Sequence, residues 1–341
     1  MDICREKLEQ AIKNLNTKSV LVVGDLALDE MIYGNTERIS REAPVLILRH
    51  SYTKYILGGA SNAANNAAKI NQGKVSVIGV VGDDYHAEDI RKAFNEANIN
   101  CQFLVEAKGR HTITKTRISG SCSHSITQQI VRIDTQSDEP LPLEIENKII
   151  KNLELAIPNH DVIVLSDYHI GTLTQRVIDE TIRIARLNKK IIVVDAQRNL
   201  SNYKGVTSMT PNLPDTQAYV GKTLTTNEDF AIAGKKLIED ANAEFVLITC
   251  GGDGMRLVSK DKCYHVPVFN KSKVFDVTGA GDTVTAVYSL ALASGAEPVY
   301  AAIIGNIAAG IVIKEFGCAT TTIEAILKNI PAKINVEDWS C

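Results

Sequence analysis

Ser19-Val20-Leu21-Val22-Val23-Gly24-Asp25 is a short apolar run closed by a glycine and an aspartate. No polar residue interrupts it between Val20 and Val23, so it reads as a strand covered on both faces. Similar runs recur at residues 75–81, 161–165, 190–194 and 245–248. Between them, apolar residues fall at helical spacing over residues 60–70, 87–97, 143–155, 174–187 and 227–240. Continuous apolar strands alternating with amphipathic helices specify an α/β fold, with a doubly wound, mostly parallel sheet and helices on both faces. Ligands of such sheets bind beyond the carboxyl ends of the strands. The polar residues just after each run therefore carry the functional weight: Asp25, Asp29, Asp83, Asp167, Asp195, Asn212 and residues 249–254.

Two stretches break the alternation. Residues 32–57 and 100–134 are rich in β-branched and aromatic residues and lack a helical period. They read as extended pieces of a small inserted β-sheet, placed to act as a lid over a site. Peripheral hairpins are the alternative on pattern alone.

The 341-residue chain is long enough for two average domains or one large α/β domain with an insertion. A net charge of −3 gives no basic surface for nucleic acid. Residues 1–18 are charged and lack an apolar centre, which is not a secretory signal. No apolar run reaches the ~18 residues of a membrane span. Seven cysteines, at 4, 101, 122, 250, 263, 318 and 341, form no Cys-x-x-Cys pair. Such scattered cysteines are expected as free thiols in a cytoplasmic protein.

The chemistry concentrates in Asp276-Val277-Thr278-Gly279-Ala280-Gly281-Asp282-Thr283, which runs into an apolar helical stretch. Glycines 279 and 281 let a ligand approach the backbone, and the amides that follow open a helix, where N–H groups and dipole favour an anion. Asp282 puts a carboxylate beside that anion site. A general base taking the proton of an attacking hydroxyl accounts for it, while a helix start with an Asp cap is the bland alternative. Gly58-Gly59-Ala60-Ser61-Asn62 opens another helix, and its Asn62 offers a donor and an acceptor for a polyol, while a loop-to-helix turn with Asn near the cap is the bland alternative. Residues 249–254, Thr-Cys-Gly-Gly-Asp-Gly, form a third glycine-rich turn, suited to nucleotide phosphates or to a simple hairpin link. Other signatures fail. Gly221-Lys222-Thr223 lacks the preceding glycine of a Walker A loop, and Gly279-Ala280-Gly281 is followed by Val284 where a dinucleotide fingerprint needs glycine. The histidines have no metal-ligand spacing.

Taken together, residues 58–62 and 276–282, in this order and separation, resemble the PfkB/ribokinase family of carbohydrate kinases over roughly residues 17–330. Residues 24–29, 38–45, 112–117 and 165–168 are similar to the kinase domain of bacterial D-glycero-D-manno-heptose 7-phosphate kinases. The resemblance implies a single ribokinase-like domain over residues 1–341, with ATP and Mg²⁺ as cofactors and a sugar as acceptor. By the same resemblance, Asp282 is the base, and the amides of Gly279, Ala280 and Gly281 form the anion hole. Asp29, Gly59 and Asn62 match sugar-binding positions. Asn212, Thr249, Gly251 and Gly254 match nucleotide positions, and Asn306 borders the adenine site. Asp276 and the Thr278 carbonyl match a monovalent-cation site, for K⁺. Lys115 and Arg117, on a lid strand, are placed to pair with a substrate phosphate, or are surface charges.

Three positions depart from the pattern. Asp215 stands where the family's Asn-x-x-Glu has glutamate, one methylene longer, so a water-mediated Mg²⁺ contact shifts. His169-Ile170-Gly171 and Asp195-Ala196-Gln197-Arg198 lack lysines of the heptose kinases, and Arg198 is a possible replacement for one of them. The expected function is therefore ATP-dependent phosphorylation of a sugar hydroxyl, O-1 of heptose 7-phosphate first. Alternatives are a related kinase for another sugar, sugar phosphate or nucleoside, and a non-catalytic sugar- or nucleotide-binding regulator. A homodimer through the β lid is expected, because small sheets seldom stand alone.

Overall fold

The computed structural model describes residues 2–121, 127–269 and 274–340. Its main sheet has nine strands, in the spatial order β15 (Glu337–Ser340), β14 (Lys262–Val266), β13 (Met255–Ser259), β12 (Phe245–Thr249), β11 (Ser208–Met209), β10 (Ile191–Ala196), β9 (Val162–Asp167), β1 (Val20–Gly24) and β4 (Val75–Ile78). The run from β4 to β12 is parallel, and β13, β14 and β15 add on antiparallel at one edge.

The sequence dictates this sandwich through period 2. Val20 and Val22 of β1, with Val162 and Val164 of β9, enter one apolar layer. The residues between them, Leu21 and Val23 with Ile163 and Leu165, enter the other. Helices Ala60–Asn71, Ala280–Ala293 and Pro298–Val312 cover the first layer, and Leu143–Ala156, Gln175–Leu187 and Asn227–Ala241 cover the second. Each fully buried aliphatic side chain contributes about 1.5–3 kcal/mol. Among the described residues, no helix is long and apolar enough to cross a membrane.

A second sheet has four strands in the order β3 (Leu46–Gly59), β2 (Leu26–Ile39), β7 (Thr114–Ser121) and β8 (Gln128–Thr135). Strand β2 begins two residues after β1 ends, so the chain passes from the main sheet to the small one through Asp25 alone. The small sheet differs from the expected 32–57 and 100–134. Its first strand starts at Leu26 and its second runs to Gly59, because the inner parts of both are buried and read as core rather than lid. Residues 100–113 belong to the main body: β6 (Val105–Glu106) pairs with β5 (Val80–Val81), and Val77 donates its amide to the Asn100 carbonyl. Residues 122–126 of the expected lid lie outside the described residues.

Cys4, Cys101, Cys250 and Cys318 are free thiols. Cys263 on β14 is disulfide-bonded, which corrects the expectation of free thiols throughout. Cys122 and Cys341 lie outside the described residues.

Candidate active site

Beyond the carboxyl ends of the parallel strands lies a cavity of ≈ 150 Å³ with Asp282, Gly279 and Gly281 in its wall. A larger hollow of ≈ 640 Å³ opens around Lys189, Ile191, Thr207 and Phe245. It sits at the opposite, amino-terminal edge of the strands and holds none of the motif residues.

Gly279 precedes helix Ala280–Ala293 with φ 75°, a left-handed conformation that favours glycine. A side chain there would also come within 2.4 Å of Asn62 Nδ2. Three residues on, Asp282 is 6% exposed, and both its oxygens are bound. Asn62 Nδ2 donates to Oδ2 at 2.6 Å, and the Tyr168 hydroxyl donates to Oδ1 at 2.7 Å. The Asn62 amide is itself oriented. Asn66 Nδ2 donates to Asn62 Oδ1 at 3.1 Å, and the Thr283 hydroxyl donates to Asn66 Oδ1 at 2.8 Å. Burial pushes the Asp282 carboxyl up to about 6, against the opposing pull of Tyr168, Asn62 and Lys115. It thus ionises just below neutrality, as a base working at neutral pH requires.

Asp29 sits on β2 in register with Lys115 of β7, and Met31 with Arg117. Alternation puts Asp29, Lys115 and Arg117 on one face. Arg117 Nη1 lies 2.7 Å from Asp29 Oδ1, an ion pair by distance whose N–H is off the hydrogen-bond line. Lys115 Nζ stands 5.5 Å from the centre of the Tyr168 ring. Gly58, beside the expected Gly59, leaves room for the Asp29 carboxyl, which a side chain there would approach to 2.9 Å.

On the far side of the cavity, Asn212 caps helix Leu213–Val220 by accepting from the Asp215 amide at 2.7 Å. Asn212 and Thr249 are bridged through their backbones, and with Asp215 they line the cavity. Burial raises the Asp215 carboxyl. Residues 249–254 do turn the chain from β12 to β13, and a side chain at Gly254 would strike the Val266 carbonyl at 2.2 Å. A side chain at Gly251 would meet nothing within 4 Å. Two expected site residues are engaged elsewhere. Asn306 Nδ2 donates to the Val266 carbonyl at 3.4 Å, away from the cavity wall. Asp276 accepts from the Thr278 amide and hydroxyl at 2.9 and 2.7 Å and from the Gly317 amide at 2.9 Å. Among the described residues, no group of three or more His, Cys, Asp or Glu is placed to hold a metal ion.

Sequence reasoning gave no role to Tyr168, which holds the Asp282 carboxylate directly; its signals were its place after a strand end and within the stretch 165–168. Asp195 was flagged only by that position. It lies at the end of β10, accepts from the Thr285 hydroxyl at 3.1 Å, and is pushed up to about 7 by burial and by Asp282.

The model of the pfkB family of carbohydrate kinases matches residues 17–325. The chain is 38% identical over 302 residues to a protein named bifunctional protein HldE from Desulfatibacillum aliphaticivorans, covering 88% of this chain and 60% of that one. It is 37% identical over 320 residues to the protein of the same name from Geobacter metallireducens, covering 93% and 64%. The chain thus spans less than two thirds of the length of these relatives. In fold it is similar to a putative phosphofructokinase from Staphylococcus aureus, with TM-score 0.75, 16% identity and coverage of 94% and 99%. It is likewise similar to ribokinase of Arabidopsis thaliana complexed with ribose and ATP, with TM-score 0.69, 16% identity and coverage of 92% and 98%. With the family's model matched along nearly its whole length, the chain belongs to the pfkB family of carbohydrate kinases, phosphotransferases with an alcohol group as acceptor.

Proposed function

We propose that this chain transfers the γ-phosphoryl group of ATP to O-1 of D-glycero-β-D-manno-heptose 7-phosphate, giving the 1,7-bisphosphate. The observation that carries the kinase chemistry is the Asp282 carboxylate, buried, held at both oxygens and facing a cavity walled by Gly279 and Gly281. In this reading Asp282 takes the proton of the acceptor hydroxyl as that oxygen attacks in line. The amides of Gly279, Ala280 and Gly281, at the helix start, hold the negative charge of the transferring group. Asp29, Gly59 and Asn62 bind the sugar, and Lys115 and Arg117 supply cations for its phosphate. Asn212, Thr249, Gly251 and Gly254 border the nucleotide, with Asn306 behind the hairpin that carries it.

Mg²⁺ fits this donor set. It takes oxygen ligands, keeps several waters, and needs only one or two carboxylates beside substrate phosphates. Asp215, through water, is the residue to hold it, and the ion when bound neutralises charge on the phosphate oxygens. Asp276 and the Thr278 carbonyl are the candidate K⁺ ligands. The three hydrogen bonds that Asp276 already accepts keep this a matter for rate measurements in K⁺ against Na⁺. The heptose assignment rests on the similarity of residues 24–29, 38–45, 112–117 and 165–168 to heptose 7-phosphate kinases, and on relatives named HldE.

The small sheet exposes Ile39, Leu46, Tyr52, Ile130 and Ile133. A second copy covering part of this exposed apolar surface makes the protein a homodimer, which sedimentation at micromolar concentration checks. The substrate is tested by a coupled ATP assay on heptose 7-phosphate, fructose phosphates, ribose and nucleosides. Turnover highest on the heptose is expected. Preference for another acceptor overturns the heptose assignment, and ligand binding with no turnover on any acceptor overturns the enzyme.

A further inference from the structure

The two donors that hold Asp282 come from distant parts of the chain, yet both hang from one residue. Asp25 is fully buried, at the junction between the main sheet and the small one. Its Oδ2 accepts from the amides of Tyr168 at 3.0 Å and Ile170 at 2.9 Å, and its Oδ1 from the amide of Thr172 at 2.9 Å. Three amides converge on one carboxylate only if the chain curls. His169 with φ 57° and Gly171 with φ 104° supply the curl. Asp25 is itself pinned, its amide donating to the Ser166 carbonyl at 3.2 Å. Its carbonyl accepts at 3.1 Å from Ala60, the first residue of the helix that carries Asn62.

We propose that Asp25 and Tyr168 are positioning residues: the Asp25 carboxylate shapes loop 168–172, and the loop presents the Tyr168 hydroxyl that orients the Asp282 carboxylate toward the acceptor. This rests on Asp282 being the base. A carboxylate with one oxygen released turns about its last bond, and misplacement of a reacting group is costly in rate. The phenol also favours the charged form of Asp282, because it donates to a carboxylate. The other charged or titratable groups facing Asp282 are Lys115 of β7, Asp29 of β2, Asp195 of β10 and Cys318. None of them changes when Tyr168 becomes phenylalanine.

The test is the pH profile of kcat/KM. Tyr168→Phe removes one hydroxyl and is expected to lower kcat about 10-fold and to move the acid limb up by about one pH unit. Wild-type KM for ATP is expected to persist. Asp25→Asn turns an amide group toward the three loop amides and should move the limb in the same direction. With Tyr168→Phe it should add little, as coupled residues do. Gly171→Ala probes the loop without touching the buried carboxylate, since its new methyl meets nothing within 4 Å and only the backbone is strained. An unmoved limb with kcat within about 2-fold of wild type in both Tyr168→Phe and Gly171→Ala overturns the proposal. An acid limb that survives unchanged in Asp282→Asn instead overturns the base on which it rests.

Discussion

The two walls of the cavity are built differently. On the wall proposed for the acceptor, side chains hold side chains: Asn62 and Tyr168 hold Asp282, and Arg117 stands against Asp29. On the wall proposed for the nucleotide, the backbone does the shaping, through the Asn212 cap, the Asn212–Thr249 bridge and the turn at residues 249–254. The difference follows from the chemistry proposed for each. Proton transfer fails if the base is displaced by a fraction of an ångström, so its carboxylate is fixed from both sides. Phosphate oxygens accept N–H groups, which glycines and helix starts expose without any side chain.

The comparison predicts where damage falls. Asp282→Asn should lower kcat by at least ~10², the lower end of general-base contributions, while ATP binding measured by calorimetry stays as in wild type. Next come the two glycines of the motif. Gly279→Ala drives a methyl onto Asn62 from a left-handed backbone and should lower kcat about 10-fold by disturbing the acceptor wall. At Gly281 the new methyl meets no protein atom within 4 Å, so Gly281→Ala should act mainly on KM for ATP. Equal effects of both on kcat alone would erase the distinction between the walls. Arg117→Met should raise KM for the acceptor by about 10-fold and leave KM for ATP unchanged. A change in the ATP constant instead would place Arg117 on the wrong wall.

The smallest effect is on stability. Asp195 is held near 7 in the fold against an ordinary 3.8, so its folded form favours the proton. The stability this brings is complete below the ordinary value and is lost as pH rises toward about 7. Asp195→Asn mimics the protonated group. It should leave Tm unchanged near pH 4 and raise it by on the order of 5 °C at pH 8, measured by calorimetry. No difference between the two pH values would show Asp195 to be solvated.

The parallel strands were legible because residues 20–23 and 162–165 are apolar without a break. Strand β11 was not, since Ser208–Met209 is two residues long and shows no period. Asp282, Gly279 and Asn62 stood out because glycine at a helix start has few other uses. Tyr168 gave no such sign. The hydrogen bond its amide donates to Asp25 spans 143 positions and depends on a curled loop that no local pattern encodes. The Arg117–Asp29 pair was hidden for a similar reason, since it follows from the parallel register of β2 with β7.

In the proposed reaction one carboxylate takes one proton. The pH dependence of kcat/KM, with heptose 7-phosphate as acceptor, measures that directly. An acid limb near pH 6, matching Asp282 pushed up to about 6 by burial, and absent from the residual rate of Asp282→Asn, is the predicted result. The same limb in wild type and variant would contradict it.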